Sequence, residues 1–117
     1  MEAKERELTI LVTKTDGCPF KDWLSGLRDE KTIAAVHSRL YRAQDGNFGD
    51  WKPLEAGVIE MRIDFGPGYR IYLALHEDKL IVLLFGGDKS TQVKDIRRAV
   101  ALWQENKDAT DRFRRGV

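Results

Sequence analysis

"GVIEMRIDFGPGYRIYLALHEDKLIVLLFGGDKSTQ", Gly57 to Gln92, decides the fold, because its apolar residues recur with period two. Ile59, Met61, Ile63 and Phe65 alternate with Glu60, Arg62 and Asp64, which predicts a strand with one greasy and one charged face. "GPG", Gly66 to Gly68, is a turn signal. Tyr69, Ile71, Leu73 and Leu75 then alternate with Arg70, Tyr72, Ala74 and His76. "HEDK" turns again into "LIVLLF", apolar at every position, as a central strand covered on both faces must be. The stretch ends where two glycines, an Asp, a Lys and two hydroxyls precede a helix. Such a junction can offer backbone N–H groups and Lys89 to a phosphate. It can equally be a strand-to-helix turn capped by Ser90 or Thr91. Gly66, Gly68, Gly86 and Gly87 all read as turn residues.

Outward from this stretch the elements follow in order. "LTILVT", Leu8 to Thr13, is a strand. Pro19 opens a helix with Phe20, Trp23, Leu24 and Leu27 on one face. "RDEK" interrupts it, and Ile33, Val36, Leu40 and Tyr41 mark the inner face of a second helix, stopped by Asp45-Gly46-Asn47. "NFGDWKPLEAG" has no period and reads as a loop. The last helix turns Val93, Ile96, Val100 and Trp103 inward, with Lys94, Arg97 and Arg98 elsewhere. Residues 107–117, polar and basic, are expected to fray. The expectation is one α+β domain over residues 1–117, ordered strand–helix–helix–three-stranded antiparallel meander–helix.

Composition narrows the function. The chain has 117 residues, 42% of them hydrophobic, which suits one core. Twenty Lys and Arg against 19 Asp and Glu leave a formal charge of +1, so an electropositive site must come from local arrangement. One cysteine, Cys18, excludes an internal disulfide and any multi-Cys zinc site, and fits a reducing cytoplasm. No apolar run approaches the ~18 residues of a membrane span, and "MEAKEREL" lacks a signal-peptide core. A cytoplasmic protein with no membrane contact is expected.

Familiar catalytic motifs fail. Asp88 precedes Lys89 where a phosphate-binding NTPase loop needs glycine. His37 and His76 lie far apart, and no His/Asp/Glu cluster has metal-ligand spacing, so neither metal nor cofactor is expected. His37 reads as structural, His76 as solvated beside its turn, and Cys18 as a small helix-entry residue. The meander's charged face says more, although such a face is often merely solvated. A hairpin closed at "GPG" sets Arg62 near Arg70 across two strands, unfavourable unless carboxylates or a bound anion neutralise them. Lys89 leaves the third strand of the same sheet. Three cations converging on a rigid sheet suggest a phosphate site.

"GNFGDWK", "GVIEMRIDFGPGYRIY" and "LLFGGDKSTQVKDIRRA" together resemble the RelE/ParE superfamily of toxins from type II toxin–antitoxin systems, in its HigB-like or phage Gp49-like addiction-module killer branch. The resemblance runs from about Phe20 to Trp103. It implies a RelE-like fold, a small antiparallel sheet with two N-terminal helices packed on it. It also implies a ribosome-dependent mRNA endoribonuclease that works without metal by attack of a ribose 2′-OH on the adjacent phosphate. The implied catalytic residues are Arg62 and Lys89 on the phosphate, Arg70 of the shared "GYR", and Lys52 by its general placement. Tyr72, Asp88, Ser90 and Trp51 are the surrounding candidates for RNA contact, Trp51 either by stacking on a base or, the favoured reading, as a loop anchor folded back on the sheet. The implied partners are the ribosome, mRNA and a cognate antitoxin, of the helix-turn-helix HigA-like kind. The helix position where many relatives carry a Tyr or His acid–base group reads Val93, Lys94, Asp95 here. That departure keeps two alternatives open: a ParE-like toxin of DNA gyrase without catalysis, and a non-toxic RNA- or antitoxin-binding relative. On this reading Arg62→Ala should change stability by no more than ~0.5 kcal/mol.

Overall fold

The computed structural model describes residues 3–116. Its elements are β1 (Glu7–Leu11), α1 (Pro19–Ser25), α2 (Glu30–Gln44), β2 (Trp51–Pro53), β3 (Val58–Ile63), β4 (Tyr69–His76), β5 (Leu80–Asp88), α3 (Gln92–Asn106) and β6 (Phe113–Arg115). The strands form one sheet in the order β2-β3-β4-β5-β1-β6. The meander β3-β4-β5 is antiparallel as expected, and β5 is interior, with β1 parallel to it on its far side. This is an α+β domain with a mixed sheet.

Period two decides the layering. Ile59, Met61, Ile63, Ile71 and Leu73 pack on one face with Phe20 of α1 and Val36 and Leu40 of α2. Val58, Tyr72, Ala74 and Val82 pack on the other face with Ala99 and Trp103 of α3. Pro19 stands in the first turn of α1, where its missing N–H is not needed. Asp29 caps α2 by accepting from Lys31 N.

β5 breaks the alternation once. Tyr72 opposes Phe85 while Leu73 opposes Leu83, so Leu84 is a bulge residue, and both Leu84 and Phe85 join the α3-side core. Beyond the bulge Gly86 faces α1 and Gly87 faces α3. A Cβ on Gly86 would stand 2.4 Å from the Trp23 ring, and one on Gly87 would stand 2.0 Å from Asp95 Oδ2. These two glycines are therefore strand residues that admit close neighbours, not the turn residues expected. Gly66 and Gly68, at φ 58° and 79°, do occupy the turn.

Several other expectations are corrected. Trp51, Lys52 and Pro53, read as loop, form an edge strand opposite Met61, Glu60 and Ile59. Pro53 is tolerated because an edge strand leaves N–H groups unused. The tail does not fray through residue 115: Phe113, Arg114 and Arg115 pair with Leu11, Ile10 and Thr9. Phe113 is held by aromatic contact, 5.8 Å from the Trp103 ring and 5.3 Å from His76, so His76 is packed and not solvated. Tyr41 and Val93, assigned to inner faces, are 60% and 70% exposed. The inward stripe of α2 is Thr32, Val36, Leu40 and Ala43, and that of α3 is Asp95, Ala99, Trp103 and Asn106. No described helix is long and apolar enough to cross a membrane.

Candidate active site

Strand register assembles the site on the sheet face that α3 partly covers. Lys52, Glu60, Tyr72 and Phe85 form one row across four strands. Arg62, Arg70 and Gly87 form the next row toward the hairpin. Arg62 and Arg70 are direct cross-strand partners, as the hairpin reading required. Arg62 Nε donates to Glu60 Oε1 at 3.2 Å, and Arg70 Nη1 donates to the Gly68 carbonyl at 2.7 Å. The Arg70 Nε–H is buried with no hydrogen-bond partner among the described residues. Lys89 follows β5 directly. Arg62, Arg70 and Lys89 line one open recess of about 210 Å³, together with Asp50, Asp64 and Tyr69.

Glu60 is the anion of this face, and it is not solvated. Its side chain is 0% exposed, with Lys52 Nζ at 3.7 Å and Gln92 Nε2 at 3.1 Å from its carboxylate in addition to Arg62. A buried carboxylate survives only with such partners. Arg62 thus has a structural debt to Glu60 that a solvated face would not impose. Lys52 reaches the cluster from the β2 edge with its side chain partly exposed.

The surrounding candidates separate. Tyr72 is fully buried, so it cannot contact RNA. Its hydroxyl falls outside hydrogen-bonding geometry, and burial first, then the nearby carboxylates of Glu60 and Asp95, push the phenol well above its ordinary value. Trp51 opposes Met61, and its ring packs 6.4 Å from Phe48 against the α1/α2-side core, on the opposite face from Lys52. Asp88 accepts from Ser90 N at 2.8 Å and from Ser90 Oγ, so these two residues brace the turn that presents Lys89. Ser90 therefore receives a cap and does not supply one. Thr91 Oγ1 donates to Asp95 instead of capping α3. The junction is a turn first, and Lys89 is what it displays.

Gln92, Tyr69 and Arg39 enter the site unanticipated, while Asp95, a candidate base by its place early in the last helix, lies outside the recess and accepts from Thr91. Arg39 of α2 donates to the carbonyls of Arg62 and Phe48, the latter at 2.8 Å, and holds the β3 end against the preceding loop. Burial, then the neighbouring Arg42, lowers its pKa. A signal for Arg39 exists in the sequence, since it falls at i+3 from Val36, on the inner face of α2. Nothing in the spacing marks Gln92 as the partner of Glu60. His37 packs 6.1 Å from Tyr41, and neither His37 nor His76 lines the recess. Among the described residues no three His, Cys, Asp or Glu side chains are grouped to hold a metal ion.

Fold and site define an α+β protein whose sheet end gathers Arg62, Arg70 and Lys89 with Asp50 and Asp64 in one recess, beside the buried Glu60. The chain belongs to the same family as an uncharacterized protein of Haemophilus influenzae (strain ATCC 51907 / DSM 11121 / KW20 / Rd). The two are 50% identical over 98 residues, which cover 84% of this chain and 97% of that one. No protein-family model and no solved structure matches the chain.

Proposed function

We propose that the protein is a RelE-like toxin of a type II toxin–antitoxin pair, acting as a metal-independent, ribosome-dependent mRNA endoribonuclease. The observation that carries this reading is the direct opposition of Arg62 and Arg70, with Lys89 in the same recess. Attack of a 2′-OH on the neighbouring phosphate passes through a phosphorane with more negative charge than the ground state. Guanidinium groups already fixed by Glu60 and Gly68 stabilise that added charge selectively. Asp50 and Asp64 are the carboxylates lining the recess that can accept the 2′-OH proton, and Lys89 and Tyr69 are the donors available to the departing 5′-oxygen. The ribosome would supply the in-line alignment of the RNA.

The competing reading is a ParE-like gyrase toxin without catalysis, favoured by the absence of histidine from the residues lining the recess. Induction in cells separates the two. The nuclease reading expects translation to stop with mRNA cut to 2′,3′-cyclic phosphate or 3′-phosphate ends. Cutting should survive EDTA once ribosome integrity is controlled, and a helix-turn-helix antitoxin encoded next door should restore growth. Replication arrest with DNA breaks and intact mRNA would replace that reading with the gyrase one, and unimpaired growth would remove both.

A further inference from the structure

α3 begins with a concentration of cations, of which packing explains Arg98, stacked over the Phe85 ring. Lys94, Arg97 and Arg98 occupy its first two turns, shortly after Lys89, and none forms an ion pair with a described residue. Two physical effects oppose them. Positive charge near a helix N-terminus runs against the macrodipole. Lys94 also meets Arg97 and Arg98 at i+3 and i+4, where like charges repel. Asp22, Asp88 and Asp95 line a pocket together with Lys94 and Arg98, but no acid lines the groove that holds Lys89, Lys94 and Arg97. Asp95 is buried and accepts from Thr91 Oγ1, and Asp88 accepts from Ser90. A chain with a formal charge of only +1 thus keeps a groove here whose charged lining is wholly positive.

The groove continues the recess. Lys89 lines both the cavity that holds Arg62 and Arg70 and a groove of about 480 Å³ that runs along α3 past Lys94 and Arg97. Along the helix axis Lys94 and Arg97 are separated by roughly 4.5 Å, from a rise of ~1.5 Å per residue. Arg98 differs, since its guanidinium lies over the Phe85 ring at 4.8 Å. The free cations therefore form a file, Lys89, Lys94 and Arg97, leading away from the Arg62–Arg70 pair.

We propose that this file is a phosphodiester track, on which Lys94 and Arg97 hold the backbone of single-stranded RNA as it leaves the recess, without reading its bases. The proposal deepens the endoribonuclease reading and rests on it for the choice of polymer. A continuous polyanion fits better than a single anion, because Lys89 joins the recess of Arg62 and Arg70 to a second groove that holds Lys94 and Arg97.

The test measures anisotropy of labelled 12-nucleotide oligo-uridine and oligo-adenosine RNAs bound to the full chain, between 50 and 200 mM KCl. Lys94→Gln/Arg97→Gln is compared with wild type and with Lys107→Gln, an exposed cation beyond the far end of α3. The double variant should bind both RNAs about tenfold more weakly at low salt. Its slope of log affinity against log salt should be shallower by about 1.4, at ~0.7 per phosphate contact on a single strand. Its Tm should equal or exceed that of wild type, because two unfavourable charges have gone. Lys107→Gln should behave as wild type. Failure of the wild type to bind either RNA, an unchanged slope in the double variant, or a loss confined to one RNA would overturn the track. Unchanged RNA binding with loss of antitoxin binding would also overturn it and assign the groove to a protein partner. Because the readout is binding, the two readings fail separately. A shallower slope in a protein that cuts no mRNA keeps the track and removes the nuclease. An unchanged slope beside Arg62-dependent cutting does the reverse.

Discussion

The two faces of the sheet are buried by different means. Under α1 and α2 the contacts are apolar: Ile59, Met61, Ile63, Ile71 and Leu73 meet Phe20, Val36 and Leu40. Under α3 the same kind of packing holds only toward Val58, Ala74, Val82 and Trp103. Toward the hairpin that face becomes polar, with Glu60 enclosed by Arg62, Lys52 and Gln92. An apolar face is stabilised by area removed from water and tolerates some rearrangement. A buried charged cluster needs every partner in place, which makes it a costly way to build a core and an accurate way to aim side chains. The site lies where the fold uses the costly way.

The largest effect that tests this contrast is on the apolar face. Phe20→Ala removes a fully buried ring under α1 and should cost ~3–5 kcal/mol of unfolding free energy in a urea titration. On the proposed nuclease reading, cleavage per folded molecule should not change. A specific loss of cleavage in the folded fraction would show that the two faces are not separable.

Arg62→Ala should do the opposite. On the proposed nuclease reading, ribosome-dependent cleavage should fall by ~10²-fold or more, as when one transition-state donor is removed. Stability should fall by ~1.5–3 kcal/mol, the worth of a hydrogen bond to a charged group, since the buried carboxylate retains Lys52 and Gln92. The burial of Glu60 replaces the smaller figure that a solvated strand face suggested. Full cleavage by a folded Arg62→Ala protein would take Arg62 out of the site.

Tyr72→Phe is the finest probe. The hydroxyl is buried outside hydrogen-bonding geometry, so the variant should match or exceed wild-type stability by up to ~1 kcal/mol at pH 7. Burial, with Glu60 and Asp95, raises the phenol's pKa above its ordinary value of 10.0. The native state then keeps a proton that the unfolded chain releases. The tyrosine's contribution is therefore full below about pH 10 and declines as pH rises above it. Urea midpoints measured from pH 8 to 11 should fall less in the variant. Equal slopes would mean that Tyr72 does not sense the buried carboxylates.

Local chemistry was legible where it governed the outcome. The alternation from Val58 to Leu75, the unbroken apolar run in β5, and Pro19 at a helix start each point to what formed. The hairpin at "GPG" carried the Arg62–Arg70 register with it. What escaped depends on distant partners. β2 is three residues long and contains proline, and β6 is three residues in a charged tail, so each is ordered by the strand it meets. The bulge at Leu84 has no local signature, so Gly86 and Gly87 were misread as turn residues. Burial of Glu60 could not be read from an alternating strand, because the cover comes from Gln92 at the start of α3. Val93 and Tyr41 show the reverse error, apolar or aromatic residues at helical spacing on faces that stay open to water.

The position of β1 between β5 and β6 also sets the order in which the molecule can be completed. β1 leaves the ribosome first, yet one of its edges waits for Leu80–Leu83 and the other for Phe113–Arg115. Such long-range pairing pays its loop-closure entropy late and slows folding. During synthesis the first strand therefore stays unpaired until most of the chain has followed it, while the β3–β4 hairpin needs only its own short turn. By this reasoning assembly runs outward from the β3–β4 hairpin, and the pairing of β1 with β6 closes last.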